Sequence, residues 1–132
     1  MKKLLILSPY DGFSHGFWRE GLADCLAGEF EIVECTLPPR FFSWRQRGNS
    51  LSFALKPALQ QPFDLIVATS MTDLSGLRGL NRHLSSIPAI VYFHENQFAY
   101  PGNNTVGLLE RQLTSIYTAL SADRVFFNSE FN

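Results

Sequence analysis

The 132 residues carry a formal net charge of −1, with 45% hydrophobic and 17% charged side chains. That length holds one compact domain with a buried core, and the composition excludes a disordered chain. A near-neutral charge excludes a globally basic nucleic-acid binder, so any contact with RNA has to be local.

The opening MKKLLILSPY begins like a secretory leader, but its apolar run breaks at Ser8 and Pro9. That falls short of the roughly 7–15 apolar residues a leader needs. The segment reads instead as a first strand, KLLILS, buried on both faces. His15–Gly28 follows as a helix, with Phe17 or Trp18, Leu22, Cys25 and Leu26 at helical spacing and Gly28 as its stop. FEIVECTL alternates as a second strand and ends at Pro38 and Pro39. LPPRFFSWRQRG then reads as a loop, and SLSFALKPALQ as a helix that Pro57 kinks or divides. FDLIVATS is a third strand, and LSGLRGLNRHL places Leu74, Leu77, Leu80 and Leu84 on one helical face. PAIVYFH, NTVGLLERQLTSIYTALS and DRVFFNS complete the series as strand, helix and strand. Strands alternating with helices predict an α/β fold: a Rossmann-like doubly wound parallel sheet with helices on both faces. The last strand is followed only by NSEFN, where such a sheet normally continues into a helix, so the chain reads as the first half of a larger protein. Cys25 and Cys35 have no metal-ligand spacing and read as buried or half-buried thiols of a reducing cytoplasm. No window approaches the length of a membrane span.

Doubly wound sheets bind ligands at the carboxyl ends of their strands, and the unusual residues of this chain fall there. DGFSHG offers Gly12 for a positive-φ turn, Ser14 as a helix cap and His15 beside it, with free N–H groups that can receive an anion. An ordinary capped turn is the competing reading, and neither a dinucleotide fingerprint nor a P-loop is present. Arg40, Arg45 and Arg47 interleave with Phe41, Phe42 and Trp44, and no acid stands between Glu34 and Asp64. Guanidinium forks pair with phosphates and aromatic faces stack on bases, so this segment is a candidate RNA contact. Alternatively its aromatics pack into the core beneath a solvated arginine face. After the third strand stands Asp73, and after the fifth Asn128 and Ser129. The densest group is YFHENQFAYP, where His94, Glu95, Asn96, Gln97 and Tyr100 follow a buried strand. His94 can donate to a sugar hydroxyl or oxyanion, and Glu95 can accept a hydroxyl proton or orient His94. Asn96 and Gln97 can satisfy several hydroxyls; a self-satisfied turn is the plain alternative. No further ligand cluster is near in sequence, which argues against zinc. His83 reads as a surface residue.

SPYDGFSHGFW, LPPRFFSWRQRGNSL, ATSMTDLSGLRGL, YFHENQFAYP and SADRVFFNSEFN together resemble the tRNA-queuosine α-mannosyltransferase family, in order and over nearly the whole chain. Phe13 departs from it, since a second small residue usually precedes Ser-His there. The resemblance implies a GT-B architecture of which this chain is the N-terminal, acceptor-side domain, with the donor-gripping C-terminal domain absent. It implies retaining transfer of mannose from GDP-mannose to queuosine in a tRNA, with no metal and no other cofactor, in the cytoplasm and away from membranes. By the same resemblance His94 contacts the donor sugar, Gly12, Ser14 and His15 line the diphosphate loop, and Arg40, Trp44, Arg45 and Arg47 face the tRNA. The isolated chain is then expected to fold but not to transfer sugar. Two alternatives remain at this point: a GT-B enzyme with a saccharide or lipid acceptor, and a non-catalytic RNA- or nucleotide-binding module.

Overall fold

A computed structural model describes residues 1–94 and 108–128. Five strands form a single parallel sheet: β1 (Lys2–Ser8), β2 (Phe30–Thr36), β3 (Leu65–Thr69), β4 (Ala89–Phe93) and β5 (Arg124–Phe127). Their spatial order is β2-β1-β3-β4-β5. The helices are α1 (Phe13–Leu26), α2 (Phe42–Arg47), α3 (Asn49–Ala54), α4 (Leu74–Leu80) and α5 (Leu108–Ser121), with 3-10 turns at Pro57–Gln60 and Arg82–Ser86. The order reverses between β1 and β3, and a crevice opens at such a switch point because the flanking connections leave to opposite faces.

The period of the apolar residues places the layers. Leu4 and Ile6 of β1 and Val67 of β3 pack under Trp18, Leu22 and Leu26 of α1. The alternate residues Leu5, Leu7, Ile66, Ala68 and Val91 face the larger core with Phe53, Leu59, Leu74, Leu77 and Leu84. Strands covered on both faces have to be apolar at both parities, which is why β1 and β3 read as continuous apolar runs. Lys3 starts the β1–β3 register: its N–H donates to Asp64 Oδ2 at 2.8 Å and its Nζ to Gln61 Oε1 at 2.8 Å.

Several boundaries differ from the sequence expectation. Pro57 does divide its helix, and α3 gives way to a 3-10 turn that begins at the proline. α4 ends at Leu80, which points off the Leu74–Leu77 face by the helical period and is 54% exposed, while Leu74, Leu77 and Leu84 are fully buried. Cys25 is exposed rather than buried, and Cys35 is buried. The segment read as a loop after β2 contains α2. His83 is half-buried and its Nε2 lies 3.2 Å from Gln61 O.

One residue gathers α4, α5 and the turn before β4. The Arg78 guanidinium donates to Leu84 O at 3.1 Å, Ser85 O at 2.9 Å, and to Ile87 O and Ser121 O. A planar fork with five donors can reach four carbonyls at once, which lysine cannot.

Candidate active site

The β1–α1 connection is fixed from three sides. Leu37 N–H donates to Ser8 O and Asp11 N–H to Leu37 O, both at 3.0 Å, so the chain beyond β2 seats the turn after β1. Arg19 of α1 reaches back and holds Asp11 through Nε and Nη2, each at 2.9 Å, while Nη1 binds Glu34 of β2. The paired carboxylates hold the Arg19 guanidinium still further above its ordinary range, Asp11 contributing most. No short-range pattern links Asp11, Arg19 and Glu34, and the sequence reading passed over all three.

This geometry corrects the expectation for Gly12 and Ser14. α1 begins at Phe13, so Ser14 lies inside the helix, and the cap position is Gly12 with no side-chain hydrogen bond. Gly12 has φ −76°, which any residue adopts, and a Cβ there would meet Pro39 Cβ at an ordinary 3.6 Å. The fold itself therefore does not demand glycine at this position. Phe13 is 94% exposed, so its ring stands in solvent and not over the turn.

His15, one turn into α1, is buried, and its ring stacks on His94 at a centroid distance of 4.1 Å and an interplanar angle of 25°. Trp18, on the same helical face, stacks on Tyr92 of β4 at 4.8 Å. Trp18 and Tyr92 in turn meet the His94 ring edge-on, each at 4.9 Å. Three aromatic neighbours half-bury the His94 ring and strip part of the water that would solvate an imidazolium. Burial first, and the neighbouring His15 second, push the His94 pKa down to about 4. His94 is therefore neutral near pH 7, with one N–H and one lone pair. Its buried Nε2 has no hydrogen-bond partner among the described residues. Asn128 after β5 supports the turn: Nδ2 donates to His94 O at 2.6 Å and its N–H to Phe93 O at 3.3 Å. Ser8 Oγ at the end of β1 and Thr69 Oγ1 at the end of β3 also lack partners among the described residues. Unpartnered buried polar atoms are uncommon, and these three sit at the carboxyl ends of neighbouring strands.

The structure thus brings His15, His94 and Asn128 together, with Gly12 and Ser14 at the head of α1. Glu95, Asn96, Gln97, Tyr100 and Ser129 lie outside the described residues. Asp73 is the N-cap of α4, its Oδ1 accepting from Gly76 N–H at 3.2 Å, and is buried. A Cβ on Gly76 would lie 2.3 Å from Asp73 Oδ2, so the cap depends on that glycine. Asn49, fully buried, ties α3 to this loop: Nδ2 donates to Arg45 O, Gln46 O and Met71 O, and Oδ1 accepts from Asp73 N–H at 2.8 Å.

The basic–aromatic segment is a surface feature. Phe41 is 68% and Trp44 54% exposed, so these rings do not serve the core. Trp44 lies across Gly48, where a Cβ would come within 2.8 Å of the indole. Phe41, at the cap of α2, has φ 57°, a strained conformation for a bulky residue. The Arg40 guanidinium lies 5.5 Å from the Phe41 ring centre, Arg45 Nε donates to Pro38 O at 3.3 Å, and Arg47 is exposed. Phe42, 40% exposed, meets Tyr10 of the β1–α1 turn edge-on at 5.4 Å, which couples α2 to the first strand. Among the described residues, no group of three acidic, His or Cys side chains could hold a metal ion, and no helix is long and apolar enough to cross a membrane.

Comparison with known proteins yields a family model and a curated relative that share one description. Residues 3–132 match the family model described as tRNA-queuosine alpha-mannosyltransferase N-terminal. A curated Drosophila melanogaster protein named tRNA-queuosine alpha-mannosyltransferase is 37% identical over 134 aligned residues, covering 98% of this chain and 34% of that protein. The chain therefore spans about a third of that relative's length. No solved structure matches.

Proposed function

The chain belongs to the N-terminal family of the tRNA-queuosine alpha-mannosyltransferases, and from that premise we propose that it is the acceptor-side domain of a retaining glycosyltransferase. The proposed enzyme moves mannose from GDP-mannose to queuosine in a tRNA. The remainder of the protein supplies a second domain that holds the nucleotide, as in a GT-B arrangement. The observation that carries this reading is the neutral His94, whose Nε2 has no partner among the described residues, stacked on His15 where β1 and β4 end.

In the proposed reaction the bond from the anomeric carbon to the diphosphate breaks while an acceptor hydroxyl forms the new bond on the same face. A neutral imidazole held among aromatic rings suits one task there: an oriented N–H that donates to the sugar or to the departing oxygen. It is poorly suited to act as a strong base, because burial holds its conjugate acid unstable. The N–H groups at the start of α1 can add further donors to an anion. The exposed arginines and rings of α2 have the chemistry to hold phosphates and stack bases. The deciding experiment offers GDP-mannose and queuosine-containing tRNA to the full-length protein and measures the nucleoside mass. A hexose increment is expected. Transfer to a free saccharide or lipid with none to tRNA would replace this reading by another glycosyltransferase.

A further inference from the structure

Helix α5 is built inside out. Its buried side chains are Thr114, Ser115 and Thr118, all small and polar, and Ala119 beside them packs against the main core. Thr118 Oγ1 donates to Thr72 O at 2.6 Å and accepts from Leu74 N–H at 3.3 Å, and Ser115 Oγ donates to Arg111 O at 2.9 Å. The large apolar residues stand on the other side. Leu109, Leu113, Ile116, Tyr117 and Leu120 are 39–78% exposed. By the helical period they share one stripe about 100° wide and about 16 Å long, opposite Thr118. Helix α1 shows the ordinary arrangement, with Leu22 and Leu26 packed inward and Glu20 and Asp24 exposed. On the sheet face that α5 covers, Phe127 of the outer strand β5 stacks on Phe93 at 5.4 Å and is itself half exposed.

Single exposed apolar side chains are ordinary, but a stripe of them along a whole helix marks an interaction surface. Glu110 stands at its margin and the stripe itself holds no charge, which suits a surface buried for good rather than one that a polar partner visits. Length indicates the occupant. The chain covers 34% of the Drosophila melanogaster relative and matches a family model described as N-terminal, so most of that relative lies outside the matched part. β5 is the outermost strand and the last one before residue 132, and it ends at the side of the sheet where α5 begins. Polypeptide continuing from there is delivered beside α5 at high effective concentration, without the association cost that a separate molecule meets. We propose that in the full-length protein an apolar segment of the polypeptide following residue 132 packs on the outer face of α5 and locks this domain to the rest of the protein. This rests on the part of the proposed function that gives the protein a further domain, and not on the sugar or the acceptor.

The test is photo-crosslinking in the full-length protein. Benzoylphenylalanine takes the place of Ile116 or of Leu120, one at a time, and linked peptides are mapped by mass spectrometry. Leu55, at the exposed end of α3, is the control. Links from both stripe positions run within one molecule to residues after 132, and Leu55 stays unlinked. In parallel, Ile116→Lys with Leu120→Lys lowers the Tm of the full-length protein by about 3 °C or more, whereas on a solvated helix face the pair is close to neutral. Links that fall only within residues 1–132 overturn the inference. So do links between two molecules, which would make the face a contact between copies. An absence of links from both positions, with Tm unchanged by the lysines, shows that the face meets water and overturns it as well. If either benzoylphenylalanine variant does not fold, Tyr117, whose ring the probe resembles, is replaced instead and read by the same criteria. Failure of hexose transfer with the links intact refutes the proposed reaction and leaves this contact standing. Transfer without such links refutes the contact alone.

Discussion

The cluster around His94 and the helix α2 stand at the same end of the sheet and treat polarity in opposite ways. Around His94 the rings stack on one another, buried or half-buried, and the one titratable group of the cluster with a shifted pKa is held neutral. On α2 the rings of Phe41 and Trp44 face outward among arginines whose charge is permanent. Buried, neutral and oriented groups gain strength from the low dielectric and suit a bond-making step. Exposed charges act at longer range, are screened by salt, and suit the capture of a polyanion. The contrast predicts that the two regions can be damaged separately.

The largest effect is expected at His94. In the full-length protein, His94→Ala lowers kcat by about 10²- to 10³-fold, the usual loss for one transition-state donor, and leaves tRNA affinity nearly intact. Equal losses in kcat and tRNA binding would erase the distinction between the regions. The same residue has a stability signature. Its folded pKa of about 4 lies below the ordinary 6.5, so between those values the unfolded chain binds more protons. Stability therefore falls as pH drops from 6.5 toward 4 and is insensitive to this group above 6.5. His94→Gln flattens that acid limb, which thermal unfolding at a series of pH values reads directly.

Asn49→Ala is next. It strips the partner from three carbonyls and the Asp73 N–H, all at or near buried positions, and costs about 2–3 kcal/mol in denaturant unfolding. Because Asn49 joins α2 and α3 to the β3–α4 loop, residual folded protein binds tRNA more weakly; a variant of unchanged stability would show that this tie is redundant. The smallest effect belongs to the surface. Arg45→Ala with Arg47→Ala weakens tRNA binding and lowers the slope of log K against log salt by about one unit per lost phosphate contact. GDP-mannose affinity stays put. An unchanged slope would mean that α2 serves packing alone.

The order of the elements was legible in the sequence because a sheet covered on both faces leaves continuous apolar runs, as in KLLILS and LIVAT, separated by helical periodicity. α2 was not, because six residues rich in aromatics and arginines show no apolar stripe. The end of α4 was misplaced because leucine spacing continues through Asn81 into a 3-10 turn, where the facing side changes. At the site, His94 announced itself as the first polar residue after a buried strand. Its stacking partner His15 and the flanking Trp18 and Tyr92 did not, since only the pairing of β1 with β3 and β3 with β4 brings α1 over the end of β4.

The Asp11–Arg19–Glu34 triad has a consequence for charge balance. One guanidinium faces the carboxylates of Asp11 and Glu34, with Glu20 3.7 Å away, so the group that braces the β1–α1 turn carries a net negative charge. The Arg19 charge is already offset within the fold by these carboxylates, beside the head of α1. In the proposed reaction the negative charge that builds on the leaving group has to be countered from across the cleft. On that proposal the chain by itself disfavours a charged donor, and cleavage of the sugar nucleotide stays unfavourable until compensating charge arrives.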